Sequence, residues 1–320
     1  MSKMKKNVFV FDSPYCFLLY CILFPEKIDS TIYVHSDNAA IGILDFSNRR
    51  HHVIKKGVNR FSKFICYGYF KLQLIFDPAL KQLIKNKKDY SFYGQDHLFF
   101  STPFLNDFVL IEDGLANYRF PKYSKLYKLL LGDEPFGRSS AVKKVILTGM
   151  MEVTDPKILE KVEFINLSMR WKSLTSVQKN KINNVFSNDP AEHLNADVMI
   201  LTQPLSEYGF ISENEKINIY KKIINTYSER KIVIRQHPRE TTVYSDYFPE
   251  VEVNNSKAPV ELLILNSPSV TTVVTLFSSG IFNMPCAEKI FIGTSFHPLL
   301  VEKFGIIEKC HLIDDCKGNS

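Results

Sequence analysis

The chain has 320 residues, 45% hydrophobic and 23% charged, a globular balance that excludes an intrinsically disordered polypeptide and leaves room for one large domain or two ordinary ones. A net charge of +6, without any RNP, zinc-finger or basic-zipper pattern, suits an anionic ligand or a membrane surface and excludes a dedicated nucleic-acid binder. Six cysteines, none in a Cys-x-x-Cys, predict reduced thiols in a cytoplasmic protein; Cys310, His311 and Cys316 lack an evident fourth metal ligand.

The N-terminus imitates a secretory signal, since Lys3, Lys5 and Lys6 precede an apolar stretch to Phe24. Asp12 and Pro14 interrupt it and no small-residue cleavage site follows, so it reads as a strand over 7–11 and a helix over 15–24 with Pro14 at its start. A strand over 31–35 then opens a parallel α/β sheet.

Between Lys55 and Lys88 bases alternate with aromatics. Phe61, Phe64, Ile65 and Leu72 recur at helical spacing, which predicts a basic amphipathic helix, either core-facing with a solvated basic side or in contact with a membrane surface. No run reaches the roughly 20 apolar residues of a membrane span.

A strand over 108–111 runs into Glu112-Asp113-Gly114, followed by Asn117. Two carboxylates at a strand end, with a glycine for the turn, suit a general base, because each charge can raise the other's pKa. An acidic surface turn is the plain alternative. Lys122, Lys125 and Lys128 follow at three-residue spacing, then a strand over 142–148, a helix capped by Asp155 with Pro156 first, and a strand over 162–167. The tract from Trp171 through Pro190 is expected to be the passage between domains, closing a first domain at 1–190.

The second α/β domain is expected over 195–320. Its strand over 198–201 ends in a polar loop containing Gln203, Ser206 and Glu207, and Ser212 with Glu215 forms a capping box for the next helix. The strand beginning at Lys231 stops at His237-Pro238-Arg239-Glu240, where Pro238 bars His237 from helical geometry. The carboxyl edge of a parallel sheet is where ligands bind, so His237 is a candidate site residue. Glu261 falls in the first turn of a helix. A strand over 270–276 ends in Ser278-Ser279-Gly280, able to offer hydroxyls and N–H groups to a phosphate. A last strand and helix follow over 288–293 and 299–304. There is no G-x-G-x-x-G, Walker loop, G-x-S-x-G or H-E-x-x-H.

The order of Ile-Glu-Asp-Gly-Leu-Ala-Asn-Tyr from Ile111, His-Pro-Arg from His237 and Thr-Leu-Phe-Ser-Ser-Gly from Thr275 resembles the bacterial sialyltransferases, and within them glycosyltransferase family 52, which includes lipooligosaccharide sialyltransferases. The resemblance implies a GT-B fold, two Rossmann-like domains facing across a cleft, the N-terminal one on the acceptor side and the C-terminal one binding CMP. It also implies a CMP-sialic acid donor, a galactose-terminated cell-surface glycan as acceptor, of lipooligosaccharide or capsule type, inversion at the anomeric carbon, and no required metal or other cofactor.

Under that resemblance Asp113 takes the acceptor proton and His237 meets the leaving phosphate. Gln203, Pro238, Arg239, Glu261, Ser278 and Ser279 hold the donor, with Glu261 on the ribose, while Glu112 and Asn117 lie on the acceptor side. Some family members take the base from the loop after the second domain's first strand, where this chain has Glu207, so Glu207 is the alternative base. Transfer of another sugar, or a catalytically silent binding protein, are the alternative functions. Peripheral contact with the inner membrane and a homodimer are left open; no nucleic-acid partner is expected.

Overall fold

A computed structural model describes residues 5–42, 44–57, 59–119, 134–186 and 193–308. It divides into two units, Met1–Pro190 and Ala191–Ser320, each built on its own parallel sheet. Lys122, Lys125, Lys128, Cys310, His311 and Cys316 lie outside the described residues.

Seven strands make the first sheet: β1 (Lys6–Phe11), β2 (Ile32–Ser36), β3 (His51–Ile54), β4 (Tyr90–Gly94), β5 (Phe108–Ile111), β6 (Val142–Leu147) and β7 (Val162–Phe164). Their order is β3-β2-β1-β4-β5-β6-β7 and every pairing is parallel. Strands covered on both faces have no polar side, which is why β1 runs as uninterrupted apolar residues from Val8 to Phe11, all fully buried. The chain reverses direction across the sheet between β1 and β4, so the loops leaving these two strands diverge and leave a crevice at their carboxyl ends. Gly94 closes β4 tightly there. A Cβ at this position would stand 1.9 Å from the Val10 carbonyl oxygen.

The stretch that resembles a secretory signal is the Pro14–Leu23 helix. Ser13 caps it by accepting the Cys16 N–H at 3.1 Å, Pro14 starts it, and every residue from Cys16 to Ile22 is buried. It can be apolar all round because helices Leu167–Lys172 and Ser176–Phe186 cover the side that the sheet does not. This corrects the expected passage between domains. Trp171, Ile182, Val185 and Phe186 are core residues of the first unit, with Asn183 buried beside them.

The basic stretch forms two helices, Arg60–Phe76 and Pro78–Lys85. Of the two expected orientations, the core-facing one is corrected. Phe70 and Leu74 pack into the core, while Phe64, Ile65 and Leu72 face outward. With apolar residues on several sides, helical spacing alone did not single out the packed face.

The second sheet has five parallel strands, β8 (Val198–Leu201), β9 (Ile232–Arg235), β10 (Glu252–Asn254), β11 (Thr272–Thr275) and β12 (Glu288–Phe291), in the order β10-β9-β8-β11-β12. The helix Glu213–Thr226 carries the capping box: Ser212 and Glu215 bond each other's backbone N–H groups, and Ile219, Tyr220 and Ile223 lie buried on the sheet. Direction reverses here between β8 and β11. Two doubly wound parallel units agree with the expected α/β class of Rossmann-like domains.

Candidate functional site

At the carboxyl edge of the first sheet, Glu112 and Asp113 follow β5 with opposite fates. Glu112 is fully buried and accepts bonds from the Tyr15 hydroxyl at 2.6 Å, the Thr148 N–H at 2.8 Å, the Thr148 hydroxyl at 2.7 Å and the Tyr118 hydroxyl. Burial pushes its pKa up and these donors oppose the shift. A carboxylate enclosed this way ties together the starts of three loops, so the expectation that it faces an acceptor is corrected. Asn117, 1% exposed, is corrected likewise: its Oδ1 accepts the Asp113 N–H at 2.8 Å and closes the turn. Gly114, at φ +104, supplies the backbone conformation that lets the turn close.

Asp113 keeps a fifth of its side chain exposed, beside the crevice that the strand order creates. Its Oδ2 is 3.5 Å from His97 Nε2. Burial raises its pKa; His97 and the side chains of Ser13 and Gln95 pull it down, and the negative charge of Asp12 adds to the rise. The sequence pointed to Glu112 as the neighbouring charge, but burial and Asp12 do this work. Asp113 is therefore a carboxyl group held above its ordinary range and reachable from solvent, the condition a general base needs.

The residues around it come from strand ends. Asp12, just after β1, accepts from the Ser36 hydroxyl and pairs with Lys56, while Gln95, just after β4, accepts the Asp12 N–H. His97 stacks on Phe136 with ring centroids 4.4 Å apart, and Asp96 anchors that segment through the Phe136 and Gly137 N–H groups, both at 2.8 Å. None of Asp12, Lys56, Gln95 or His97 was picked out as a site residue from the sequence. Recognising 90–94 as a strand would have found the last two, since strand ends at the switch point are where polar groups gather.

In the second unit His237 sits two residues beyond β9. Its N–H donates to Glu240 Oε2 at 2.8 Å and lies 3.3 Å from the Thr202 hydroxyl. Ring Nδ1 accepts the Arg239 N–H at 3.2 Å, which leaves the neutral ring's proton on Nε2. Burial, then Arg239 and Arg235, lower its pKa, so near neutral pH it is a neutral Nε2–H donor. Pro238 follows in the same turn, and Arg239 is exposed, its guanidinium donating to the Tyr208 hydroxyl at 2.6 Å.

Glu207 has the opposite character from Asp113. Its carboxylate takes both 2.9 Å bonds from Lys216 Nζ and accepts the Thr241 N–H at 2.9 Å. Lys216 is completely buried and also lies 3.3 Å from Glu213 and 3.7 Å from Glu240. Burial alone would raise the Glu207 pKa; the Lys216 bonds and the backbone N–H outweigh it and bring it from 4.5 to about 2. Such a group braces the loop after β8 against the His-Pro loop.

Gln203 performs a similar bracing role across the switch point: its N–H donates to the Tyr220 hydroxyl at 2.8 Å, and its Oε1 accepts the Phe277 N–H at 3.1 Å. This sets the half-buried Ser278 and the exposed Ser279 beside the β8 loop, with the Ser278 N–H 3.4 Å from the Thr275 hydroxyl. Glu261 is buried in the first turn of helix Val260–Asn266, and the Arg235 guanidinium holds the preceding segment through the Ala258 carbonyl at 2.9 Å. Gln203, Glu207, His237, Pro238, Arg239, Ser278 and Ser279 are thus gathered on one sheet edge, as Glu112, Asp113 and Asn117 are on the other.

A family model described as glycosyltransferase family 52 matches residues 47–300. The chain belongs to glycosyltransferase family 52. It is 40% identical over 222 residues to an uncharacterised protein of Haemophilus influenzae, covering 68% of this chain and 72% of that one. Among solved structures the family 52 chain is similar to the UDP-GlcNAc 2-epimerase of Methanocaldococcus jannaschii, at 14% identity and a TM-score of 0.47, with 98% of this chain and 93% of that one covered. It is also similar to the glycotransferase of kitacinnamycin, at 9% identity and a TM-score of 0.44, covering 94% and 84%. As a family 52 member the protein is a glycosyltransferase, which takes a nucleotide-sugar donor and a glycan acceptor. Among the described residues no helix is long and apolar enough to cross a membrane.

Proposed function

We propose that this glycosyltransferase moves sialic acid from CMP-sialic acid, with inversion, to a galactose-terminated cell-surface glycan of the lipooligosaccharide or capsule type. Family membership supports the reaction class; the motif order that the chain shares with sialyltransferases supports the donor. The observation that carries the assignment of roles is the environment of Asp113, a solvent-reachable carboxyl whose pKa burial has raised.

The acceptor hydroxyl is a weak nucleophile, so its proton leaves to Asp113 as the oxygen attacks the anomeric carbon. The bond to the CMP phosphate breaks and the phosphate departs with the electron pair. His237 meets that charge through Nε2–H, with Ser278 and Ser279 hydroxyls donating to the same phosphate oxygens. Arg239 and Glu261 complete the donor site in this proposal, Glu261 toward the ribose. No step calls on a metal or other cofactor. The chemistry requires Asp113 and His237 to act on one donor–acceptor pair.

The test is a screen of CMP-, UDP- and GDP-sugars against a galactose-terminated acceptor. Transfer from CMP-sialic acid alone is the expected result. Transfer only from a UDP- or GDP-sugar would assign a different donor, and binding without turnover of any donor would make the protein a silent binder.

A further inference from the structure

The turn His237-Pro238-Arg239-Glu240 is built like the start of a helix that does not follow. Pro238 stands first, the Glu240 carboxylate reaches back to accept the His237 N–H at 2.8 Å, and the His237 ring accepts the Arg239 N–H at 3.2 Å through Nδ1. The chain holds a working device of the same kind: Ser212 and Glu215 exchange such bonds, and a helix runs from Glu213 to Thr226. After Glu240 the backbone is irregular until Tyr244. A reciprocal cap with no helix behind it serves the residue at its head, and here that residue is the half-buried His237.

The hold is stronger than a turn needs. One backbone bond, from the Glu240 N–H to the His237 carbonyl at 2.9 Å, already closes it. Yet the Glu240 side chain is completely buried, which is costly for a carboxyl group unless its oxygens find donors. Oε2 accepts the Thr202 hydroxyl as well as the His237 N–H. Oε1 accepts the Tyr244 hydroxyl at 2.7 Å and lies 3.7 Å from the ammonium of buried Lys216. The Gln236 amide fastens the same loop by donating to the Glu240 and Thr242 carbonyls at 3.2 and 2.8 Å. Thr202 follows β8, Lys216 lies on the helix Glu213–Thr226 and Tyr244 begins the next helix, so three segments converge on one carboxyl group. What these bonds fix beyond the turn is the His237 backbone N–H, and with it the ring that leaves the same Cα. With Nδ1 engaged by the Arg239 N–H, the neutral ring keeps its proton on Nε2.

We propose that Glu240 is a positioning residue for transfer: through the His237 N–H it holds the imidazole in the orientation and tautomer that present Nε2–H to the leaving phosphate, while Thr202, Tyr244 and Lys216 hold Glu240. This role rests on His237 meeting the phosphate, as proposed above; the hold on the ring is independent of it.

Three substitutions in the full chain separate reach from charge. Glu240→Gln keeps an oxygen at the His237 N–H and loses the charge, Glu240→Asp keeps the charge and falls one methylene short, and Glu240→Ala loses both. In transfer from CMP-sialic acid, Glu240→Asp and Glu240→Ala should lower kcat about tenfold or more with the donor KM within about twofold, and Glu240→Gln should lower it no more than about threefold. In a His237→Ala background Glu240→Asp should cost nothing further in kcat, because the group it positions is gone. Long-range proton–nitrogen NMR of the His237 ring at about pH 8, assigned by its loss in His237→Ala, should show one Nε2–H tautomer in the parent and in Glu240→Gln, and a tautomer average in Glu240→Asp and Glu240→Ala. Glu240→Asp keeps a charged partner near Lys216, so the test stands even where Glu240→Ala does not fold. An equal loss in both backgrounds, an active Glu240→Asp beside a failed Glu240→Gln, or an unchanged ring signal in Glu240→Asp would each overturn the positioning role. A ring that loses its tautomer in Glu240→Asp while kcat stays at the parent level would uphold the hold and overturn instead the role of His237 at the phosphate.

Discussion

Asp113 and Glu207 are carboxylates of the same kind of loop, each leaving the carboxyl edge of a parallel sheet, and by residue type either could be the base. Their surroundings separate them. Asp113 faces His97 at 3.5 Å and has its pKa raised by burial, whereas Glu207 receives two 2.9 Å bonds from a buried lysine and is held at about 2. A carboxylate that strongly prefers its charge is a poor acceptor of a proton and a good strut. The comparison teaches that the base is chosen by what neutralises each group, a feature of the folded chain.

The difference can be broken at its strongest point first. Asp113→Asn keeps the shape and removes the basic oxygen; turnover should fall about 10³-fold with the fold intact, measured as CMP release at saturating acceptor. His237→Ala should cost about 10²-fold in kcat, since the leaving phosphate loses a donor. With a lowered pKa the ring already works neutral, so wild-type kcat should not decline between about pH 7 and 9; a fall there would mean that the imidazolium is required.

Smaller effects sharpen the picture. His97 pulls the Asp113 pKa down, so His97→Ala should move the acid limb of the kcat profile to higher pH while leaving the plateau rate within a few-fold. A purely structural role for His97 would lower the plateau and leave the limb in place. Lys216→Met strands Glu207, Glu213 and Glu240 without their cation and should destabilise the second unit by about 3 kcal/mol in urea unfolding. The Glu207 pKa is depressed on folding, so its contribution is complete above the unfolded value of 4.5 and is lost as pH falls toward about 2. The urea midpoint should drop through that window, and less so in Glu207→Gln.

Much of the scaffold was legible before any coordinates. The apolar runs of β1, β5, β8, β9 and β11, the prolines opening helices, and the capping side chains of Asp155 and Ser212 declare themselves locally. The strands β3, β4 and β10 did not. His51-His52 is too polar for a buried strand, Tyr90 to Gly94 alternates weakly, and β10 spans only Glu252–Asn254. Missing β4 concealed Gln95 and His97, and with them the environment of Asp113. Two motif residues, Glu112 and Asn117, were found but assigned the wrong kind of work, since both are enclosed, and Trp171, Ile182, Val185 and Phe186 of the expected 171–190 passage are core. Enclosure depends on neighbours from distant segments, such as Tyr15 and Thr148 around Glu112, so a window of local residues does not contain it.

The most direct measurement of the central claim is the turnover of CMP-sialic acid by Asp113→Asn and Glu207→Gln, side by side, below the melting temperature of both. Loss of about three decades in the first with a few-fold change in the second is the expected pair. Near-full turnover by Asp113→Asn, with several decades lost in Glu207→Gln, would contradict it and make the braced carboxylate the base.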